Sequence, residues 1–255
     1  MPSQSVQLRM HPDVLKIVRP DGSSWLLHMS ANACRLDVHS TSLLHALLHD
    51  GPELAIRNLA AQFGLAEPEA RADVESFAGG LLRERMLVRG DASRAAAPRR
   101  RGGARRLAVL LLGLLDRPGR SLEVRARRLL IAARLAVAWL GWARTVEVWE
   151  RCYPQPDASH PEVAGSVLAA IDSAVRVHAA RSFLHLECKE RALACLAMAR
   201  AARIRAELVV GLTYVPLESH VWVECGGRII SDHPEHCRPF EAVARYGGVP
   251  RAEAS

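Results

Sequence analysis

No stretch of this sequence offers the roughly 20 consecutive apolar residues that span a bilayer. The most apolar runs, "LAVLLLGLLD" (107–116) and "LLIAARLAVAWLGW" (129–142), are shorter, and Arg134 interrupts the second. Core or interfacial helices are therefore expected, and stable membrane insertion is not. The N-terminal residues lack a basic segment followed by an apolar run and a small-residue cleavage site, which predicts a cytoplasmic protein. No GxxxxGKS/T phosphate loop occurs, and no cofactor is expected. Paired CxxC knuckles are missing too. The cysteines at 34, 152, 188, 195, 225 and 237 are scattered, which in a reducing compartment predicts free thiols. Aromatic residues make up only 5% of the chain and are scarce beside the arginine runs "RRRGGARR" (99–106) and "RARRLL" (125–130). Without stacking residues, the net charge of +7 reads as a solvated linker and helix face, not a nucleic-acid stripe.

What is present is globular: 255 residues, 49% hydrophobic and 24% charged, enough for one large or two small domains. "RGDASRAAAPRRRGGARR" (89–106) is rich in Ala, Arg, Gly and Pro and has no apolar periodicity. It divides the chain into a first domain over 1–92, a linker over 93–106 and a second domain over 107–255. In the first domain, "VQLRM", "VLKIVRPDG", "SSWLLHMS" and "ACRLDV" predict a small antiparallel sheet with turns at Asp21-Gly22 and Ala31-Asn32. Three helices follow: one capped by Ser40 and stopped by Gly51, one from Pro52 to Gly64, and one from about 67 to 88. The second domain is predicted helical through 107–116, 121–150, 161–181 and 188–203, then β over 207–215, 220–225 and 228–231. The fold class is α+β: a winged-helix-like three-strand, three-helix unit, then helices followed by a sheet.

The segment "SHVWVECGGRIISD" (219–232) predicts a hairpin. A two-residue Gly226-Gly227 turn would set Asp232 opposite Val221. A three-residue loop over 225–227 sets it opposite His220, groups Val221 and Val223 with Ile229, and pairs Glu224 with Arg228. The second register is expected, with Asp232 orienting the imidazole. A nucleophile is available upstream: Cys188 opens the helix "CKERALACLAMARA", where free N–H groups and the helix dipole favour a thiolate. Cys195, in mid-helix between leucines, reads as buried. Cysteine on a helix, then histidine and aspartate on successive strands, is the chain order of papain-like and transglutaminase-like catalytic sheets.

These residues resemble the transglutaminase-like leader peptidases of lasso-peptide biosynthesis. The matching blocks are "CKERALACLAMARAARIRAELVVG" (188–211) and "HVWVECGGRIISD" (220–232), with Cys188, Arg191, Leu193, Gly211, His220, Trp222, Glu224 and Asp232 falling on that family's pattern. Two positions depart from it. Arg203 stands where the family ends the helix with Gly, and Arg205 where it has Pro; an arginine in a left-handed cap costs about 1 kcal/mol. The first domain is similar to the small precursor-recognition domains related to the pyrroloquinoline-quinone chaperone, through "DGSSWLLHMSANACRLDVHSTSLLHALLHDGP" (21–52) and "DVESFAGGLLRERMLV" (73–88). The order of the two parts is that of the fused B proteins of lasso clusters. The resemblance implies a Cys188–His220–Asp232 cysteine peptidase that removes the leader from a ribosomally made precursor. It implies a leader bound as an added strand along "ACRLDV" (Cys34, Leu36, Val38), walled by Phe77, Leu81 and Leu82 of the third helix. It also implies a partner, an asparagine-synthetase-like cyclase that consumes the ATP and closes the macrolactam.

Three other readings stay open on the residues. Cys225, His233, His236 and Cys237 could ligate zinc, although "HPEHC" lacks paired knuckles and no metal is expected. Strands plus three helices could be a winged helix gripping nucleic acid through the basic linker, without catalysis. The same three catalytic residues could serve a transglutaminase-type acyl transferase, with an amine in place of water.

Overall fold

In the computed structural model, which describes residues 7–90, 121–157 and 161–247 together with 109, 112, 113 and 116, the chain divides into two units, Met1–Gly102 and Gly103–Ser255. The expected linker at 93–106 and most of the expected helix at 107–116 lie outside the described residues.

In the first unit, β2 (Val14–Val18) and β3 (Ser24–His28) pair antiparallel across the Asp21-Gly22 turn. Asp21 closes that turn by accepting the Ser23 N–H at 2.9 Å, and Gly22 takes φ +81°. β4 (Ala33–Leu36) pairs with the other side of β3, giving the order β2-β3-β4. The strand expected to run through Val38 stops at Leu36, because Asp37 caps α1 (Val38–His49) by accepting the Ser40 N–H at 2.7 Å. Ser40, the expected cap, therefore sits inside the first turn. α2 (Pro52–Phe63) begins at its proline and ends at the left-handed Gly64.

α3 (Glu67–Arg83) ends before the expected boundary at 88. Arg85 turns left-handed at φ +58°, the Met86 N–H donates back to the Leu81 carbonyl at 2.8 Å, and the chain leaves as β5 (Leu87–Gly90). β5 pairs with β1 (Gln7–Met10), so the expected single sheet is two sheets. Val14, Leu26, Leu36, Leu44, Leu81, Met86 and Leu87 form one buried cluster of this unit.

The second unit is built around one buried helix. α4 (Leu122–Leu140) and α5 (Trp142–Cys152) break at Gly141, φ +79°, where a single helix over 121–150 was expected. α6 (Pro161–Ala180) and α7 (Cys188–Ala201) follow. α7 is composed almost wholly of strong helix formers, and residues 192–200 are all buried, as befits a helix covered on every side. Trp149 of α5 donates its indole N–H to the Leu193 carbonyl at 3.0 Å, tying the two helices together.

Arg203 does occupy the left-handed position after α7, at φ +62°, with the Ile204 N–H donating to the Ala199 carbonyl at 3.0 Å. An arginine bears the strain of that left-handed position. Arg203→Gly is therefore expected to raise stability by about 0.5–1 kcal/mol, read as a higher urea midpoint at unchanged slope.

The sheet has the order β8-β7-β6-β9, all antiparallel, from β6 (Glu207–Tyr214), β7 (Leu217–Cys225), β8 (Arg228–Ile230) and β9 (Glu241–Tyr246). A short helix, α8 (Pro234–Cys237), joins β8 to β9. Neither α8 nor β9 is expected from the sequence pattern. The hairpin register also differs from expectation: Cys225 faces Arg228, so the turn has two residues. Gly226 and Gly227 take φ +56° and +83°, the pair of positive values that a tight two-residue hairpin requires. Glu224 thus faces Ile229 instead of Arg228, and its carboxylate meets Arg245 of β9 at 2.7 Å. Among the described residues no helix is long and apolar enough to cross a membrane.

Candidate active site

Cys188 is the first residue of α7, and its place is fixed by a reciprocal cap. The Glu187 side chain accepts from the Glu190 backbone, while the Glu187 N–H donates to Glu190 Oε2 at 2.8 Å. The thiol lies against β7, hydrogen-bonded by the backbone of Val221, the residue that follows His220. Burial raises the thiol above the ordinary cysteine range; the Val221 hydrogen bond and the charges of Lys189 and Arg191 oppose this but do not reverse it. The expected thiolate at the helix start therefore gives way to a resting thiol, because desolvation outweighs the helix terminus.

His220 Nε2 approaches Asp232 Oδ2 to 3.0 Å. The distance is that of a contact pair, but the ring N–H is not aligned on the oxygen, and Nε2 has no in-line hydrogen-bond acceptor among the described residues. Nε2 is the ring nitrogen that faces the carboxylate. Burial lowers the imidazole below its usual range, Asp232 pulls it up and Arg191 pushes it down, with a lowered value as the net. Raised thiol and lowered imidazole agree: the resting pair is neutral.

The contact between His220 and Asp232 was expected from a register that does not occur. β8 ends at Ile230, and Ser231 turns left-handed at φ +76°, which swings Asp232 out of the strand and back towards the histidine. A tight hairpin followed by a kink reaches the geometry that a looser hairpin was expected to supply. The carboxylate, 8% exposed, is also met by the His233 N–H at 2.7 Å, His236 Nδ1 at 3.2 Å and Arg191 Nη2 at 3.3 Å. Burial acts to raise its pKa, but these partners outweigh it, and Asp232 is held below the usual carboxylate range.

Beyond the three expected residues, two close approaches lock the imidazole from the side. The His220 ring lies 6.0 Å from Trp222, nearly parallel, and 5.1 Å from Phe240 between ring centroids. Gly211 faces His220 across the β6–β7 ladder and leaves the space these rings fill. Trp222 is pinned in turn by donating its indole N–H to Glu224 Oε1 at 3.0 Å.

The other expected sites fare differently. Among the described residues no group of three or more His, Cys, Asp or Glu side chains is gathered as metal ligands would be. His233 accepts from Arg176 Nη1 at 2.6 Å, His236 donates to Asp232, and Cys225 and Cys237 are each buried with a thiol pushed up to about 12 by burial. For the leader site, β4 is an edge of its sheet with no further strand beside it among the described residues. Cys34 is half-buried on that edge, while Val38 is exposed but belongs to α1. Leu36 and Leu81 are each 4% exposed and belong to the core, so neither lines an open groove. Phe77 packs partly exposed between the two core clusters of the unit.

Cys188 thus opens a buried helix that packs against an antiparallel sheet carrying the His220–Asp232 contact. Residues 128–245 match the family model described as the transglutaminase-like superfamily, so the second unit carries a transglutaminase-like domain. That superfamily includes cysteine peptidases. No curated protein and no solved structure matches the chain.

Proposed function

We propose that this protein is a cysteine peptidase that binds the leader of a ribosomally synthesised lasso-peptide precursor and cleaves it from the core before a partner cyclase closes the macrolactam. The observation that carries the reading is the approach of His220 to Asp232 beside a cysteine that opens a buried helix, inside a transglutaminase-like domain. Because thiol and imidazole rest neutral, proton transfer accompanies attack: the Cys188 sulfur adds to the scissile carbonyl as its proton passes to His220 Nδ1. Asp232, 3.0 Å from Nε2, stabilises the imidazolium as it forms. His220 then gives the proton to the leaving amine, and water, deprotonated by the same histidine, hydrolyses the thioester. The Cys188 N–H, in the first turn of α7 and without an intrahelical partner, is a natural donor to the oxyanion.

In the first unit, the leader adds as a strand along the open edge of β4, with Cys34 beneath it and Phe77 at its side. Main-chain hydrogen bonds supply the affinity. The test is mass spectrometry of a precursor from the same gene neighbourhood, incubated with wild type or Cys188→Ala, each with and without the neighbouring cyclase. Cleavage at one bond by wild type, absent in the variant while the leader still binds, is the expected result. Equal cleavage by both proteins removes Cys188 from the reaction. Incorporation of an added amine into the product in place of water indicates acyl transfer.

A further inference from the structure

The delivery of Asp232 to His220 depends on one backbone kink. Ser231 is not a glycine, yet it holds φ +76°, a conformation that costs about 1 kcal/mol for such a residue. Something must hold it there. The Ser231 N–H donates to Asp172 Oδ1 at 2.9 Å, and Ser231 itself is 2% exposed. Asp172 lies on α6, and the same helix grips the segment a second time: Arg176, 3.4 Å from Asp172 Oδ2 through Nε, donates through Nη1 to the His233 ring at 2.6 Å. Both chain neighbours of Asp232 are therefore tied to α6. Arg191 and His236, by contrast, touch only the Asp232 carboxylate and leave its backbone unconstrained.

We propose that Asp172 is a positioning residue of the active site: by accepting the Ser231 N–H it holds the left-handed kink that aims Asp232 at His220. The inference rests on the peptidase reading of His220 and Asp232, but it makes a claim about geometry that can be tested without turnover. A charged acceptor suits the task, since a carboxylate makes the stronger hydrogen bond to a backbone N–H. With that acceptor gone, the left-handed Ser231 backbone loses the hydrogen bond that its N–H makes, and its relaxation towards an ordinary extended conformation would point Asp232 elsewhere.

The experiment is an NMR titration of histidine-labelled full-length protein, with the His220 signal assigned through His220→Gln, alongside the peptide-cleavage assay. In Asp172→Ala, His220 is expected to titrate roughly 1 pH unit lower than in wild type, because the carboxylate that raises it has moved while Arg191 and His236 remain. The kcat for cleavage is expected to fall about tenfold or more with KM little changed. Adding Ser231→Gly to Asp172→Ala should regain most of both losses, since glycine takes a positive φ unaided. Rescue of this kind is not expected of a residue that merely supports the fold. Should Asp172→Ala fail to fold, Asp172→Asn fills the same volume with a weaker acceptor and should move both quantities in the same direction by less. A His220 titration unchanged in the folded variant overturns the inference, even where wild type cleaves and Cys188→Ala does not. A His220 titration that follows Asp172 in a protein whose Cys188 proves dispensable upholds the positioning and overturns the peptidase reading instead.

Discussion

Replacing His220 with alanine is expected to lower kcat for peptide cleavage by about 10³-fold, with little change in KM. The size of the loss follows from the state of the thiol. Burial raises Cys188, so at neutral pH almost none of it is thiolate without a base to take the proton. Few neighbours can substitute: the Lys189 ammonium is paired with Glu187 at 2.9 Å, and His236 is engaged at the far oxygen of Asp232. Single-turnover cleavage followed by intact mass checks the prediction, and the alkylation rate of Cys188 by iodoacetamide at neutral pH should fall with it. A variant that cleaves within a few-fold of wild type would remove His220 from the proton path.

Gly211→Ala is expected to destabilise the second unit by about 2–3 kcal/mol and to depress cleavage in whatever folds. A Cβ on Gly211 would lie 2.6 Å from two ring carbons of Trp222 and 2.7 Å from Cβ of Phe240, closer than real carbon contacts come. Neither neighbour yields easily. Trp222 is fixed through Glu224, which Arg245 holds from β9, and Phe240 leads directly into that strand. The strain therefore spreads into the side wall of His220, whose ring lies nearly parallel to that of Trp222 and tilted against that of Phe240. Urea unfolding gives the stability loss, and a midpoint within 0.2 M of wild type, far less than such a loss produces at ordinary slopes, would show that the sheet absorbs the methyl group. A glycine inside a β-strand with a large ring over it marks this kind of close approach.

Much of the second unit could be read from the chain: the run of helix formers in α7, the β-branched strands, and the order of Cys188, His220 and Asp232. The register of the hairpin could not, and the reason is physical. The sequence offered Glu224 and Arg228 as a cross-strand pair, but a strand inside a sheet has two neighbours, and the better cation for Glu224 came from β9 on the other side of β6. The two adjacent glycines, both with positive φ, were the stronger signal. Asp232 nonetheless meets His220, because the non-glycine kink at Ser231 makes up for the register, and nothing in the residue type announces it.

The protonation state was misleading for a similar reason. A helix start argues for a thiolate, but how deeply the thiol sinks depends on packing against β7, which spacing alone does not give. In the first unit, Arg85 ends α3 without the glycine that would have signalled the stop, so the apolar "MLV" looked like more helix. Leu36 and Leu81 looked equally suited to a groove or a core, and only their burial separates the two.

The order β8-β7-β6-β9 leaves two outer strands, each of which could in principle recruit another chain. β8 is three residues long, too short to template a stable pairing. β9 carries Glu241 and Arg245, and its ladder with β6 slips at Val210/Gly211, where Val243 is left without a partner and the strand bends. The sheet that carries His220 thus has one outer strand of three residues and another interrupted by a bulge, neither of them the long flat edge on which a further strand pairs best. For a substrate that adds as an extended strand, as proposed, the edge of β4 in the first unit is then a better margin than either outer strand of the sheet that carries His220.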